Sequence, residues 1–363
     1  MIRVLVVEDS RFMRGVINTI LSRDPEIEVV GSAADGLEAV DAVCALRPDV
    51  VTMDVDMPRA DGLSAVERIM SERPTPIVMI SAYTRRDSSA AIRALELGAV
   101  DFVAKPSFTV DLGLEALRDE IVTKVRVAAR VRPVRTAHRA IAPSPPAVPA
   151  PSNEPPNEDR RHWEWTPCVI MAASTGGPAA LLALVPRLSA DFAAAVLIVQ
   201  HMPAPYTSAF ADELAGRCAV KVREAVHGEW IERGVVYVCP GSHHLTLAPA
   251  GRIVLHASPT RDSECPSADL AMMSMARRVG ARSIGVILTG MGRDGAAGAR
   301  AIRRAGGLII AQDEATSVVF GMPRAAAEAG VVNAMLPLDD IPPTLNGYVD
   351  DIAREAKRGR RAV

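Results

Sequence analysis

Short apolar runs that end on a polar residue recur along this chain, with helix-like stretches between them. In the first third, RVLVV leads into Glu8 and Asp9, DVVTM into Asp54, PIVMI into Ser81 and VDFVA into Lys105. Alternation of this kind predicts a parallel sheet, because successive strands then point the same way. Residues at the strand ends gather at one sheet edge, where open α/β sheets bind their ligands. Carboxylates crowded there repel one another unless a hard cation neutralises them, and Mg²⁺ favours such oxygen ligands. A lysine and a hydroxyl opposite them suit a tetrahedral anion. The chemistry predicted for this edge is phosphoryl transfer onto a carboxylate.

The pattern divides the chain. Residues 1–125 read as five strand–helix units, with strands at 4–7, 28–31, 50–53, 77–80 and 101–103 and helices near 11–22, 36–46, 62–72, 87–97 and 111–129. Residues 126–165 form a linker whose proline- and charge-rich stretch, RPVRTAHRAIAPSPPAVPAPSNEPPNEDRR, predicts a semi-extended tether with no core of its own. A second α/β pattern covers 166–356, with strands at 168–172, 196–200, 284–288 and 308–311. Its helices are expected near 178–188, 206–216, 268–279, 295–305 and 322–329, and GVVYVCPGSHHLTLAPAGRIVLH reads as a β-hairpin. Residues 357–363 are a basic tail. The fold class is therefore α/β twice over: a five-stranded parallel sheet, then a second doubly wound, mostly parallel sheet with a hairpin.

The second half repeats the strand-end device with different chemistry. Ser174 follows CVIMAA and opens STGGP; His201 follows AVLIVQ; Asp294 lies in TGMGRDG after SIGVIL. Parallel strands bring all three to one edge, where a serine, a histidine and an aspartate make a nucleophile, its base and the group that orients the base. Thr175, Gly176 and Gly177 lead from the serine into a helix whose first N–H groups are free to meet an anion. The glycines of Gly290-Met291-Gly292 likewise expose backbone amides. These are candidate oxyanion donors. Taken alone, the serine reads as a helix cap and the histidine as a surface residue; together the three read as a catalytic set. His243 and His244 are a rival base pair without an acidic neighbour in sequence, His227 and His256 read as structural or solvated, and the methionines of AMMSMARR read as one packed helix face.

Composition narrows the classes further. The formal net charge of the 363 residues is −2, so no global field draws the chain to nucleic acid or to a membrane surface. A DNA-binding second half would want a basic helix-turn-helix, and this one is instead glycine-punctuated α/β. Cys44, Cys168, Cys218, Cys239 and Cys265 form no CxxC pair, which fits free thiols in a reducing cytoplasm. The N-terminus turns acidic too early for a signal peptide, and no apolar stretch is long enough to span a bilayer.

Residues 1–125 resemble a flavodoxin-like two-component receiver domain through Glu8, Asp9, Asp54, Ser81 and Lys105, with Phe102 where receivers carry a switching aromatic. Residues 166–356 resemble the protein-glutamate methylesterase domain through AASTGGP, VQHMP and TGMGRDG. The whole is similar to the chemotaxis response regulator methylesterases, the CheB family. Glu8 departs from the second aspartate of many receivers. The resemblance implies that a histidine kinase phosphorylates Asp54, with Mg²⁺ held by Asp9, Asp54 and the backbone carbonyl of Asp56 and with Glu8 assisting. Ser81 and Lys105 would read the phosphate. The receiver would act as a phosphorylation-dependent lid. The second domain would hydrolyse glutamate γ-methyl esters, and deamidate glutamines, on cytoplasmic chemoreceptor helices without a cofactor. Ser174 would attack, His201 would take its proton, Asp294 would hold the imidazolium, and Thr175 and the Met291 backbone would border the oxyanion. Two other readings remain open: a receiver-gated hydrolase of another ester or amide, and a phospho-switch binding module.

Overall fold

The computed structural model describes residues 1–82, 84–105, 113–131, 166–258 and 265–361. They fall into two compact units, residues 1–140 and 141–363. Most of the expected linker, 132–165, lies outside the described residues.

The first unit runs β1 (Ile2–Val7), α1 (Arg11–Ser22), β2 (Ile27–Ala33), α2 (Gly36–Leu46), β3 (Val50–Asp54), α3 (Gly62–Glu72), β4 (Ile77–Ser81), α4 (Arg85–Glu96), β5 (Asp101–Ala104) and α5 (Gly113–Ala128). Its strands are all parallel, in the order β2-β1-β3-β4-β5. Every residue of β3, β4 and β5 is buried, as strands covered by helices on both faces must be. Short polar side chains start the helices: Ser10 accepts from the Met13 N–H, Asp35 from Leu37 and Glu38, and Asp61 from Ser64. The chain leaves β1 to one side for β2 and returns to the other for β3. That reversal opens a crevice at the carboxyl ends of β1 and β3.

The second unit runs β6 (Cys168–Ala173), α6 (Gly177–Leu184), β7 (Ala195–Gln200), α7 (Ala204–Ala215), β8 (Lys221–Glu224), β9 (Val235–Val238), β10 (His243–Leu247), β11 (Ile253–Ala257), α8 (Ala268–Val279), β12 (Ser283–Ile287), α9 (Ala296–Arg304), β13 (Leu308–Gln312), α10 (Met322–Glu328), β14 (Ala334–Leu336) and α11 (Ile341–Arg361). Seven of these strands form one parallel sheet in the order β14-β13-β12-β6-β7-β9-β8. Here the order reverses around β6, with β7 on one side and β12 on the other, so the carboxyl ends of these three strands border the crevice.

The hairpin expectation is half corrected. β10 and β11 pair antiparallel as a separate two-stranded sheet, while β9 joins the main sheet beside β7. Burial explains the split: all of VVYV in β9 is buried, which needs cover on both faces, whereas β10 exposes part of one face. The edge strands β8 and β14 escape a reading based on apolar runs because β8 is KVRE and β14 has three residues. Charged and short edges are how sheets avoid pairing with other chains. At the C-terminus, the α11 backbone continues as helix to Arg361, through most of the segment read as a basic tail.

Candidate active site and acidic pocket

In the first unit, one carboxylate oxygen each from Glu8, Asp9 and Asp54 lies within 4.8 Å of the others. Glu8 and Asp54 are buried and Asp9 is exposed. Lys105 reaches back from the end of β5, its Nζ 2.7 Å from Asp54 Oδ2 and 2.9 Å from Glu8 Oε2. The Lys105 amide donates to the Ser81 carbonyl at 2.7 Å, which ties the lysine to the end of β4. Ser81 Oγ donates to the Asp87 carbonyl at 3.2 Å. Asp56 lies exposed just beyond β3. Phe102 is buried within β5, with the Lys124 ammonium 5.3 Å from its ring centroid and donating to its carbonyl. Lys124 is held in turn by Asp101 and Glu120.

One ammonium among three carboxylates leaves the pocket short of positive charge. Burial, and then the Asp54 charge, push the Glu8 carboxyl up to about 7, against the opposing pull of Lys105. Burial also raises Asp54, with Lys105 again opposing. A site that penalises its own carboxylates in this way fits a hard divalent cation.

In the second unit His201 and Asp294 meet, and Ser174 follows the neighbouring strand at the same edge. Ala173 of β6 is in register with Gln200 of β7, so Ser174 and His201 follow paired residues on neighbouring strands. The His201 amide donates to the Ala173 carbonyl at 3.0 Å. His201 Nε2 lies 2.8 Å from Asp294 Oδ2. That leaves Nδ1 as the ring nitrogen free of the acid.

Asp294 is only 4% exposed, and five donors reach its carboxylate. Besides His201, Oδ2 accepts from the Ala268 N–H at 2.6 Å. Oδ1 accepts from Asp269 N–H at 2.8 Å, Gly295 N–H at 3.0 Å and Ser267 Oγ at 3.2 Å. Two of these amides belong to the first turn of α8, where the helix dipole also favours a negative charge. Burial alone would raise this carboxyl. The hydrogen bonds from His201 and from the Ala268 and Asp269 amides outweigh it, and the carboxyl lies below its ordinary value.

The serine turn is braced from below. Gln200 Nε2 donates to the carbonyls of Ser174, at 2.9 Å, and His201, at 3.1 Å. Thr289 Oγ1 donates to the Thr175 carbonyl at 3.0 Å, and its amide donates to Gln312 Oε1 at 2.8 Å. Gly176 adopts φ +75°, and a side chain there would also strike Val318. A Cβ on Gly290 would lie 2.8 Å from the Ser174 Cβ. Of the expected oxyanion donors, the Gly177 amide is already committed to the Ser174 carbonyl at 2.8 Å, and that of Gly290 to the Val319 carbonyl at 3.0 Å. The neighbouring backbone donors are those of Thr175, Gly176 and Met291. Gln200, Thr289, Ser267 and the α8 amides were not singled out from sequence. Gln200 adjoins the histidine, and Ser267 precedes a helix as caps do; nothing local signals what they touch.

Among the described residues, the histidines outside this edge have partners of their own. His243 Nδ1 meets Ser242 Oγ at 2.8 Å, His256 Nε2 meets Thr246 Oγ1 at 2.8 Å, and His227 Nδ1 accepts from the Leu255 N–H at 3.2 Å. Of the three methionines expected on one packed face of α8, Met272 and Met275 are buried and Met273 is half-buried. All five cysteines are free, with Cys168, Cys218 and Cys239 buried.

A receiver-type pocket in one unit and a Ser/His/Asp edge in the other define a two-part, switch-bearing hydrolase class. A family described as "CheB methylesterase" matches residues 169–345, and "Response regulator receiver domain" matches 4–117. The chain is 43% identical over 376 aligned residues to a protein-glutamate methylesterase/protein-glutamine glutaminase of Pyrococcus horikoshii, covering 100% of this chain and 97% of that protein. A protein of the same name from Symbiobacterium thermophilum is 44% identical, covering 94% of this chain and 95% of that one. Among solved structures, the Thermotoga maritima CheB methylesterase catalytic domain is 38% identical with a TM-score of 0.48, covering 50% of this chain and 98% of that one. The chain belongs to the protein-glutamate methylesterase/protein-glutamine glutaminase family.

Proposed function

We propose that this chain hydrolyses glutamate γ-methyl esters, and deamidates glutamine side chains, on chemoreceptors in the cytoplasm, under the control of phosphorylation at Asp54. The observation that carries the hydrolytic reading is the 2.8 Å contact between His201 Nε2 and a buried, multiply bonded Asp294, beside Ser174 on the adjoining strand. Ser174 Oγ attacks the ester carbonyl carbon while His201 takes its proton at Nδ1. The two ring nitrogens thus exchange the roles they have in chymotrypsin-like triads, where the acid sits on Nδ1. Asp294 stabilises the imidazolium. Backbone donors at Thr175 and Met291 receive the oxyanion. His201 then protonates the leaving oxygen, methanol departs, and a water deprotonated by His201 cleaves the acyl-serine. With a glutamine the leaving group is ammonia.

In the first unit, Asp54 accepts a phosphoryl group from a histidine kinase. Glu8, Asp9 and Asp54, with the Asp56 backbone carbonyl, would hold Mg²⁺, which supplies charge neutralisation for the phosphoryl oxygens. Lys105 and Ser81 bind the aspartyl phosphate once it forms, and the buried Phe102 is the aromatic that responds. Residues 126–165 serve as a tether between the receiver at 1–125 and the catalytic part at 166–356.

The test is methanol release from a methylated chemoreceptor by the intact chain, with and without a small-molecule phosphodonor. Release that rises with phosphodonor and vanishes in Ser174→Ala is the expected result. Turnover of generic esters with none of methylated receptor would replace this substrate with another. No turnover of any ester would favour a phospho-switch binding module.

A further inference from the structure

The hairpin of β10 and β11 lies outside the main sheet, yet it hydrogen-bonds both to α8 and to the residue that caps it. The Leu247 N–H donates to Ser274 Oγ, midway along the helix, at 3.1 Å. At the helix start, His244 Nδ1 accepts from the Ser267 N–H at 3.1 Å. Ser267 is the residue that caps α8: its Oγ accepts from Leu270 N–H at 3.4 Å and donates to Asp294 Oδ1 at 3.2 Å. A hydroxyl can do both at once.

We infer that His244 is a positioning residue for the hydrolytic reaction, holding the start of α8 so that Ser267, Ala268 and Asp269 converge on Asp294. The inference rests on the reading that Asp294 orients His201. The Ser267 N–H lies outside the helical ladder and needs an acceptor of its own. His244 supplies it from a separate element, which sets the orientation of the segment just before the helix. Accepting at Nδ1 places the imidazole proton on Nε2, so the neutral ring is the working form. Without this acceptor, the segment turns to satisfy its amide elsewhere. The donors at 3.2, 2.6 and 2.8 Å from the carboxylate then move with it. His243, the next residue back, points to the opposite face of the strand and bonds Ser242 instead.

The test compares His244→Leu, His244→Gln, His244→Asn and His243→Leu in the full chain, by kcat and KM for methanol release from methylated receptor at saturating phosphodonor. The Asn side chain puts its oxygen where Nδ1 stands, whereas Gln and Leu do not. For Leu and Gln, kcat should fall on the order of 10-fold with KM unchanged, since a full ångström of misplacement costs about 10²-fold. Asn should restore near-normal kcat, and His243→Leu should leave it unaltered. Folded Asn and Gln variants that are equally slow, or Leu and Gln variants at the wild-type rate, overturn the inference. If Leu loses its far-UV circular dichroism, the Gln and Asn pair decides. Ser174→Ala, run alongside, separates the two levels. Turnover surviving in it removes the catalytic reading itself; turnover lost in it but normal in His244→Gln removes only the role of His244.

Discussion

The two sheet edges use one topological device for opposite electrostatic ends. Both place their polar residues where strand order reverses, around β1 and β3 in one sheet and around β6 in the other. At the first edge, buried carboxylates share a single lysine, and Glu8 and Asp54 are both raised. At the second, one carboxylate collects a histidine, a hydroxyl and three amides, and is lowered. An under-compensated site is ready to take up a cation and a phosphoryl group. An over-satisfied one is already organised and does not have to change during a reaction, which is what electrostatic stabilisation of a transition state requires. Switch and catalyst differ here less in fold than in how completely their charges are met.

The largest test of this contrast falls on the preorganised edge. Ser174→Ala should remove methylesterase turnover, by up to about 10⁶-fold as in other triads, and His201→Ala should be nearly as severe. Asp294→Asn should cost roughly 10⁴-fold in kcat, because an amide cannot hold the imidazolium and fixes the wrong tautomer. It also turns an NH₂ toward donors that now share a carboxylate. Initial rates of methanol release check each variant; an Asp294→Asn enzyme with normal kcat would show that the dense bonding around this carboxylate is structural.

The strand-end residues were legible because a parallel sheet converts sequence position into place: Asp54 and Ser174 each close an apolar run, and such runs all finish at the same edge. Contacts that depend on a helix arriving from elsewhere were not. Asp294 meets the α8 amides across more than twenty residues of chain, and His244 meets Ser267 from a hairpin outside the sheet. β9 was assigned to the hairpin because its apolar run adjoins one, and only burial on both faces separates the two. The charged β8 left no apolar signal at all.

A smaller effect belongs to the switch. Asp54→Asn should leave basal turnover intact and abolish the response to phosphodonor, since it removes the acceptor oxygen and one metal ligand without touching the second sheet. Activation lost should be roughly 5- to 150-fold, the usual range for coupling between sites. Rates measured with and without phosphodonor decide it, and a full response in the variant would require another phosphorylated residue.

The smallest effect tests whether the first edge is truly short of positive charge. Glu8 titrates near 4.5 when unperturbed and is pushed up to about 7 by burial and by Asp54. Between those values the folded protein holds a proton that the unfolded chain has lost, so unfolding free energy falls as pH rises. The contribution is complete below about 4.5 and gone above about 7. Mg²⁺ competes with that proton, so its apparent affinity should weaken as pH drops through the same window. Glu8→Gln removes the titrating group while keeping the shape. In the full chain it should slow hydrogen exchange of the β1 and β3 amides at pH 8 relative to wild type, flatten the pH dependence of that exchange, and weaken Mg²⁺ binding at pH 8. If exchange in wild type slows as pH rises from 5 to 8, after correction for the intrinsic base-catalysed rate, the pocket is already compensated. The contrast between the two edges would then have to rest on something other than charge.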